Sequence, residues 1–327
     1  MNHEAVTTEP KKKPKKKVWA VILLIIGLLF LIVAASVAVV GCSYITNQNF
    51  KETFYCVSSL KVNNKIRVVQ ISDLHNCSYG NNNDTMVKRV EQLKPDVIIY
   101  TGDCIDSTVG NENDVINLCA ALAKVAPSYY IYGNNEVEKL YDTPLTQEAL
   151  DKKFGFTSDT REPQQLLDLA DAFAEKLEQA GVKVLKNTAD TLTVGTTTVD
   201  VYGVLTSNPS AFWSYGGESF DNYIYQNQNN LKITAIHEPL VFEMYTPDTW
   251  GDLLLAGHTH GGIAKIPVLG PAYTHDGGVL PGRSGHYVYG RYDVQGRPLI
   301  VSSGLENNTL YRINNQPEIV IVDINKF

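Results

Sequence analysis

Residues 66–75 read IRVVQISDLH, six largely apolar and β-branched positions that give way at once to a polar turn holding Asp73 and His75. A run this short has the character of a buried strand rather than a helix. The pattern returns at residues 97–100 (VIIY) and 129–132 (YYIY), each again followed by a polar turn containing glycine. Between these runs, residues 84–93 and 114–125 space their apolar side chains as a helix does and begin with aspartate, a residue suited to a helix start. The succession β-α-β-α-β predicts a parallel sheet covered by helices.

Further along the chain, residues 163–180 are amphipathic, with Leu166, Leu167, Ala170, Phe173, Ala174 and Leu177 on one face and Gly181 as the stop. From residue 182 to 204 the pattern changes to short strands with Thr-rich turns. Residues 233–236 and 253–256 resume the buried-strand type and imply a second sheet, which 299–302 and 319–324 would close. Residues 207–230 are polar but set with Trp213, Tyr215, Tyr223 and Tyr225. They read as an insertion that either covers a sheet edge or meets a sugar or lipid head group. The Gly- and Pro-rich loop over 261–285 is too long to be idle.

Towards the N-terminus, residues 18–40 contain no charge. As a helix they would span about 35 Å, enough to cross the hydrocarbon of a bilayer. Lys11, Lys12, Lys13, Lys15, Lys16 and Lys17 precede them, and such a cluster stays on the cytoplasmic side. The expected organisation is a basic tail over 1–17, a transmembrane anchor over 18–41, an irregular stalk over 42–65 and an extracytoplasmic domain over 66–327. Val39, Val40, Gly41 and Cys42 also have the pattern of a lipoprotein signal. The long apolar run favours a retained helix, and either outcome leaves the domain tethered to the cell membrane.

The tail is net +4, six lysines against Glu4 and Glu9, whereas the remainder is net −11, with 22 Lys and Arg against 33 Asp and Glu. An acidic domain repels nucleic-acid phosphates, which argues against that class of partner. Cys56, Cys77, Cys104 and Cys119 match no zinc spacing. A Cys77–Cys104 bridge is one reading of them, and buried free thiols are the other.

Side chains able to hold a metal recur at the predicted strand ends. Asp73 and His75 follow the first strand, TGDCID (101–106) places Asp103 after Gly102, and GNNE (133–136) presents Asn134. His237 follows ITAI, and His258 and His260 lie in LLLAGHTHGG, residues 253–262. The carboxyl ends of parallel strands are where ligands collect in an α/β sheet. Any one of these residues fits a capped turn or a satisfied core histidine, so the weight rests on their shared registry. Gly257, Gly261 and Gly262 would remove bulk where two imidazoles approach an ion. Neither the HExxH of zinc proteases nor a Gly-rich phosphate loop ahead of a helix is present.

The ordered set DLH, GDCID, GNNE, IHEP and GHTHGG resembles the calcineurin-like metallophosphoesterase superfamily over residues 68–327. The continuation into KIPVLGPAY, VSSGLE and PEIVIVDI is similar to its membrane-attached bacterial phosphodiesterases. The resemblance implies a four-layer αββα sandwich, two mixed β-sheets packed face to face between helices, preceded by one transmembrane helix. It implies that Asp73, His75 and His260 hold one divalent ion, that Asn134, His237 and His258 hold another, and that Asp103 bridges both. Carboxylate, imidazole and amide oxygen suit Mn, Fe or Zn better than Ca. Two such ions about 3.5–4 Å apart would bind phosphoryl oxygens while a bridging water attacks phosphorus in line. The implied protein is a metal-dependent phosphoric ester hydrolase with Asp103, His75 and Asn135 at the reaction centre.

The family motif is GNH followed by Asp or Glu, and here Asn135 stands in the histidine's place, followed by Glu136. Asparagine can hydrogen-bond a phosphate but supplies no proton, a contribution worth about 10²–10⁴ in rate. The expectation is an enzyme that favours leaving groups needing little protonation, with His275 or His286 in the long loop as other sources of an acid. Two competing readings are a membrane receptor for phosphate or metal with weakened catalysis, and a structural protein holding a stabilising zinc. Retention of all seven candidate ligands favours the enzyme. A membrane tether makes lipid diphosphates, phospholipids and cell-wall polymer phosphodiesters the substrates to consider.

Overall fold

The structure, a computed structural model, describes residues 15–106, 111–137, 171–205, 212–244, 249–274, 277–307 and 312–327. The chain divides into two compact units, residues 1–42 and 43–327. Helix α1 (Lys15–Asn47) makes up the described part of the first and supplies the opening residues of the second. From Val18 onward it is long and apolar enough to cross a membrane by length and composition, and its apolar side chains are exposed.

The second unit contains two six-stranded sheets. The first, in the order β1-β16-β2-β3-β4-β5, consists of β1 (Lys51–Ser59), β16 (Glu318–Lys326), β2 (Ile66–Ile71), β3 (Val97–Thr101), β4 (Ser128–Ile131) and β5 (Val182–Leu185). The second, in the order β14-β15-β9-β8-β7-β6, consists of β14 (Gly290–Val294), β15 (Arg297–Val301), β9 (Leu253–Ala256), β8 (Leu231–Ile236), β7 (Thr197–Val204) and β6 (Thr188–Val194). Strands β2 to β5 run parallel, with antiparallel β16 beside β2, and β7, β8, β9 and β15 run parallel between antiparallel β6 and β14.

Alternation along the central strands explains the layering, because successive side chains leave a strand on opposite faces. Val69 and Ile71 of β2, with Ile98 and Tyr100 of β3, pack under α2 (Asp84–Leu93), α3 (Glu112–Ala123) and α4 (Ala172–Gln179). Ile66, Val68, Val97 and Ile99 face the second sheet, where Val201, Ile233 and Leu255 meet them. The far face of that sheet is covered by α5 (Phe212–Tyr225) and α6 (Leu240–Met244) through Phe220, Tyr223, Ile224, Val241 and Phe242. Strands buried on both faces read as continuous apolar runs, which is why β2, β3 and β9 were visible in the sequence. Each fully buried Val or Ile contributes roughly 1.5–3 kcal/mol. The result is two mixed sheets face to face between helices, as the sequence leads one to expect.

Several elements differ from that expectation. The irregular stalk over 42–65 is instead the last turn of α1 followed by β1, paired in parallel with β16. As an edge strand whose side chains are exposed or half-buried at every position but Val57, β1 carries little of the apolar pattern that betrays a strand. Residues 319–324 do not close the second sheet; β16 inserts between β1 and β2 in the first. The helix expected over 114–125 lies at Glu112–Ala123, capped by the Asn111 side chain rather than by aspartate. Of the helix expected over 163–180, residues 163–170 lie outside the described residues, and α4 starts after Asp171, which accepts from the amides of Phe173 and Ala174. Part of the polar insertion is helical as α5, since Phe220, Tyr223 and Ile224 share one face at helical spacing. The long loop holds two small hairpins, β10 (Lys265–Ile266) with β11 (Gly270–Pro271) and β12 (Tyr273–Thr274) with β13 (Gly278–Val279). No two of the five cysteines are joined in a disulfide among the described residues, and Cys77, Cys104 and Cys119 are buried.

Candidate metal centre

Because the strands within each central set are parallel, their carboxyl ends form one rim, and the seven singled-out residues all sit on it. Asp73 and His75 follow β2, Asp103 follows β3, Asn134 opens a helical turn after β4, His237 follows β8, and His258 and His260 follow β9. Five of them have left-handed backbone, with φ of 50° at Asp73, 46° at His75, 51° at Asp103, 70° at His258 and 49° at His260. Non-glycine residues rarely adopt that region, and a concentration of it marks a site where the surroundings hold the backbone against its preference.

The side chains converge as two groups whose ligand-capable atoms lie within 4.8 Å of one another: Asp73, His75 and His260, and Asp103, His237 and His258. Asn134 joins the second group through its Oδ1, 3.0 Å from His258 Nδ1. Asp103 lies between the groups, its Oδ2 being 3.2 Å from His237 Nε2 and 3.8 Å from His75 Nε2. His75 Nε2 faces His260 Nε2 at 3.2 Å, and His258 Nδ1 faces His237 Nε2 at the same distance. Imidazole nitrogens facing each other at hydrogen-bond distance require a proton or a cation between them. Asp73 is fully buried and its Oδ1 faces imidazoles of both groups, 3.6 Å from His260 Nε2 and 4.0 Å from His237 Nε2, an arrangement that a cation among them would stabilise. The donor set of oxygens and imidazole nitrogens therefore fits a pair of divalent transition-metal ions.

Hydrogen bonds behind the clusters fix which nitrogen is presented. The Thr101 carbonyl lies 2.7 Å from His237 Nδ1 and can only accept, so Nδ1 carries the proton and Nε2 faces the cluster. Glu306 does the same for His260 through Nδ1 at 3.1 Å. Burial opposes ionisation of Asp103, but the neighbouring His237 and His75, with the Asn135 amide, hold its carboxyl below the usual range. Burial also opposes charging of His237, yet the Asp103 carboxylate outweighs it and lifts the imidazole to about 10. At Glu306, burial is likewise outweighed by His260, and its pKa is lowered.

Glycine permits the close approach of the ligand loops. A side chain at Gly102, with φ +88°, would run into the Gly133 backbone at 2.5 Å and His237 Nδ1 at 2.7 Å. The glycines around the His-x-His do not make room for imidazoles as the sequence suggests. Gly257 admits Ser72 and Asp73, Gly261 admits Ser303 and Asn315, and Gly262 admits Pro271.

Three residues make contacts at the site that their place in the sequence did not reveal. Glu136 is buried and accepts from the amides of Asp103, Cys104 and Gly133 and from the Tyr130 hydroxyl, tying the β3 and β4 loops together. Glu306 was visible only as part of VSSGLE, with nothing in its spacing to place it on His260. Asn135 donates to Asp103 twice, from its amide to Oδ1 and from Nδ2 to Oδ2, both at 2.8 Å. Both donors of Asn135 thus meet the carboxylate that lies between the two groups. His286 is held by Glu243 at 2.7 Å, and His275 lies outside the described residues.

Residues 66–262 match the family model of the calcineurin-like phosphoesterases. The chain is 30% identical over 260 residues to YkuE of Bacillus subtilis (strain 168), named an uncharacterized metallophosphoesterase, covering 78% of this chain and 77% of that protein. It is 23% identical over 263 residues to phosphodiesterase YaeI of Escherichia coli (strain K12), covering 79% and 82%. A phosphopantetheinyl hydrolase (PptH) structure from Mycobacterium tuberculosis aligns over 73% of this chain and 89% of its own, with a TM-score of 0.41 and 12% identity. With the family model spanning more than half of the sequence and the rim carrying two groups able to hold metal, the chain belongs to the calcineurin-like phosphoesterases and is a metal-dependent phosphoester hydrolase.

Proposed function

We propose that the protein is a membrane-anchored phosphodiesterase or phosphoanhydride hydrolase with a two-metal site, acting outside the cytoplasm on a phosphate ester of the cell envelope. The observation that carries the site assignment is Asp103, which lies against imidazoles of both clusters and is oriented by both donors of Asn135. In this reading Asp73, His75 and His260 hold one ion, Asn134, His237 and His258 hold the other, and Asp103 is shared. When bound, two divalent cations supply charge that polarises a phosphoryl oxygen and lowers the pKa of water. Mn, Fe and Zn all fit these donors.

The chain's own residues then orient the reaction. Thr101 and Glu306 hold the protons of His237 and His260 away from the cluster interior. Asn135 fixes the shared carboxylate but has no proton to transfer, so a leaving oxygen must depart as an anion or take its proton from solvent. Phosphate leaving from a diphosphate, or an acidic alcohol, meets that condition. The relative named a phosphodiesterase supports the diester. The lysines ahead of the apolar segment that starts at Val18 support a cytoplasmic N-terminus and an external domain.

The activity test is turnover of a chromogenic phosphodiester by the purified full chain with Mn²⁺, set against Asp103→Ala. A catalytically weakened phosphate or metal receptor would bind but not turn over. A metal count near two per chain supports the enzyme, and a single tightly held ion would support a structural zinc. The orientation is tested by protease added to intact cells: digestion of a tag placed after Phe327 supports the external domain, and protection refutes it.

A further inference from the structure

The turn at residues 312–316 touches three parts of the molecule at once. Towards the incoming chain, Asn47 Nδ2 donates to the Arg312 carbonyl at 2.7 Å, the Asn314 amide to Ser43 Oγ at 3.2 Å, and Gln316 Nε2 to the Thr46 carbonyl at 3.3 Å. Towards the metal rim, Asn315 Nδ2 donates to the His260 carbonyl at 2.6 Å. Towards the β10–β11 hairpin, the Lys265 amide donates to the Ile313 carbonyl at 2.9 Å and Asn314 Nδ2 to the Lys265 carbonyl at 3.3 Å. Strand register agrees. β1 begins beside the start of β16, and β16 starts beside the carboxyl end of β2, so the chain enters this unit at the metal-bearing end of the sheet.

That end also carries most of the exposed apolar surface. Of eleven exposed large hydrophobic residues after Asn47 among the described residues, seven lie between Ile263 and Tyr289, so the exposure is concentrated in the hairpin region. Val268, at the tip, is fully exposed (103%) and Val279 is 75% exposed, with Ile266, Leu269 and Tyr273 beside them. Residues 266–274 carry no charge. Lys265, which precedes them, is turned inward to Ser303 Oγ at 2.9 Å. Val268 also has φ +69°, a conformation that a β-branched residue adopts only against preference and that turns ordinarily assign to Gly or Asn. An uncharged apolar tip on strained backbone is poorly suited to water and well suited to the interface of a bilayer.

We infer that the β10–β13 hairpins are a second membrane contact, which lays the metal rim against the surface of the bilayer crossed by α1 so that the site takes its phosphoester from the lipid phase. This rests on the membrane-anchored phosphoesterase reading and names its substrate class as a phosphoester carried on a lipid. The occupant is lipid because of covalent continuity. A helix crossing the membrane leaves it next to Ser43, and the hairpin base is tied to the residues that hold Ser43. The tip at Val268 is three residues beyond Lys265, so it lies at most about 10 Å from that base.

The test uses the full chain in phosphatidylethanolamine–phosphatidylglycerol vesicles. Cys42→Ser and Cys56→Ser leave only buried thiols, and a spin label is placed by Val268→Cys or, as a control at the opposite end of the sheets beside Asn64, by Thr196→Cys. Expected is a label at 268 that collides with oxygen more than with an aqueous nickel chelate, and the reverse at 196. A label at 268 open to the chelate, or shielded from both quenchers by protein, overturns the inference while the anchor reading stands, provided the chain survives a carbonate wash. A chain that washes off overturns both. In a second arm, Val268→Asp with Leu269→Asp should lower turnover of a vesicle-borne phosphodiester about tenfold and leave a soluble chromogenic diester within about twofold. Equal effects on the two substrates contradict the inference. Absence of turnover of either by the parent protein would sink the phosphoesterase reading alone, with the spin labels still deciding the membrane contact.

Discussion

The two halves of the metal centre are built alike in donors and differently in support. In the Asp103 half, His237 is 1% exposed and its outer nitrogen is fixed by a main-chain carbonyl of β3. In the Asp73 half, His260 is 22% exposed and its outer nitrogen is fixed by the Glu306 side chain, itself 21% exposed. A carbonyl within a sheet cannot move without breaking the strand, whereas a carboxylate on a loop can rotate, exchange or be replaced. The first half is thus set by the fold and the second by one side chain, and its affinity is the one a single substitution can tune.

The largest expected effect ignores that difference. Asp103→Ala removes the residue common to both halves and should lower kcat by roughly 10³-fold, the size of several kcal/mol of lost charge stabilisation, with metal content falling at both positions. Retention of one full ion would break the idea that this carboxylate is shared. Glu306→Gln sharpens the comparison most directly. It should weaken one metal site about 10–100-fold, seen as a drop towards one ion per chain in limiting metal, while Glu306→Asp restores part of the loss. An equal weakening of both sites would contradict the asymmetry.

Asn135→His asks whether the missing acid matters where the Asp103 half meets substrate. Alkyl phosphodiesters should gain about tenfold or more and aryl diesters much less, since only the former need a proton on departure. Equal gains for both would refute the leaving-group account.

The pH response is smaller and has a definite sign. In chelated protein the proton on His237, held by Asp103 to about 10, contributes stability that is complete below the unfolded value near 6.5 and lost as pH rises through about 10. Thermal unfolding with chelator should accordingly show this contribution declining from neutral to alkaline pH. Added Mn²⁺ should flatten the slope, because cation binding displaces that proton. Replacing His286, which lies outside both halves and pairs with Glu243, should change turnover by less than about twofold. A larger loss would restore it as a candidate acid.

The fold was most legible where strands are buried on both faces: β2 and β9 run over the residues their apolar runs outline, and α2 matches its periodicity. It was least legible at the edges. β1 is only partly buried and lacks a continuous apolar run, and nothing in the apolar run of β16 says which sheet receives it. The site followed the same division. Each of the seven candidate ligands stands directly after a recognisable strand, and the sense of the parallel strands brings their ends together. Glu306, Thr101 and Asn135 act through contacts spanning tens to hundreds of residues of sequence, so no local spacing reveals what they touch.

By itself, then, the amino-acid order determined the alternation of strands and helices, the apolar segment at the N-terminus and the donor types at each strand end, because these depend on side-chain period and chemistry within a few residues. Only the tertiary structure decided that Asn135 turns to Asp103, that Glu306 orients His260, and that the chain enters at the same end of the sheets as the metal rim. Those outcomes depend on the register and order of strands far apart in the chain, which packing selects and local sequence does not encode.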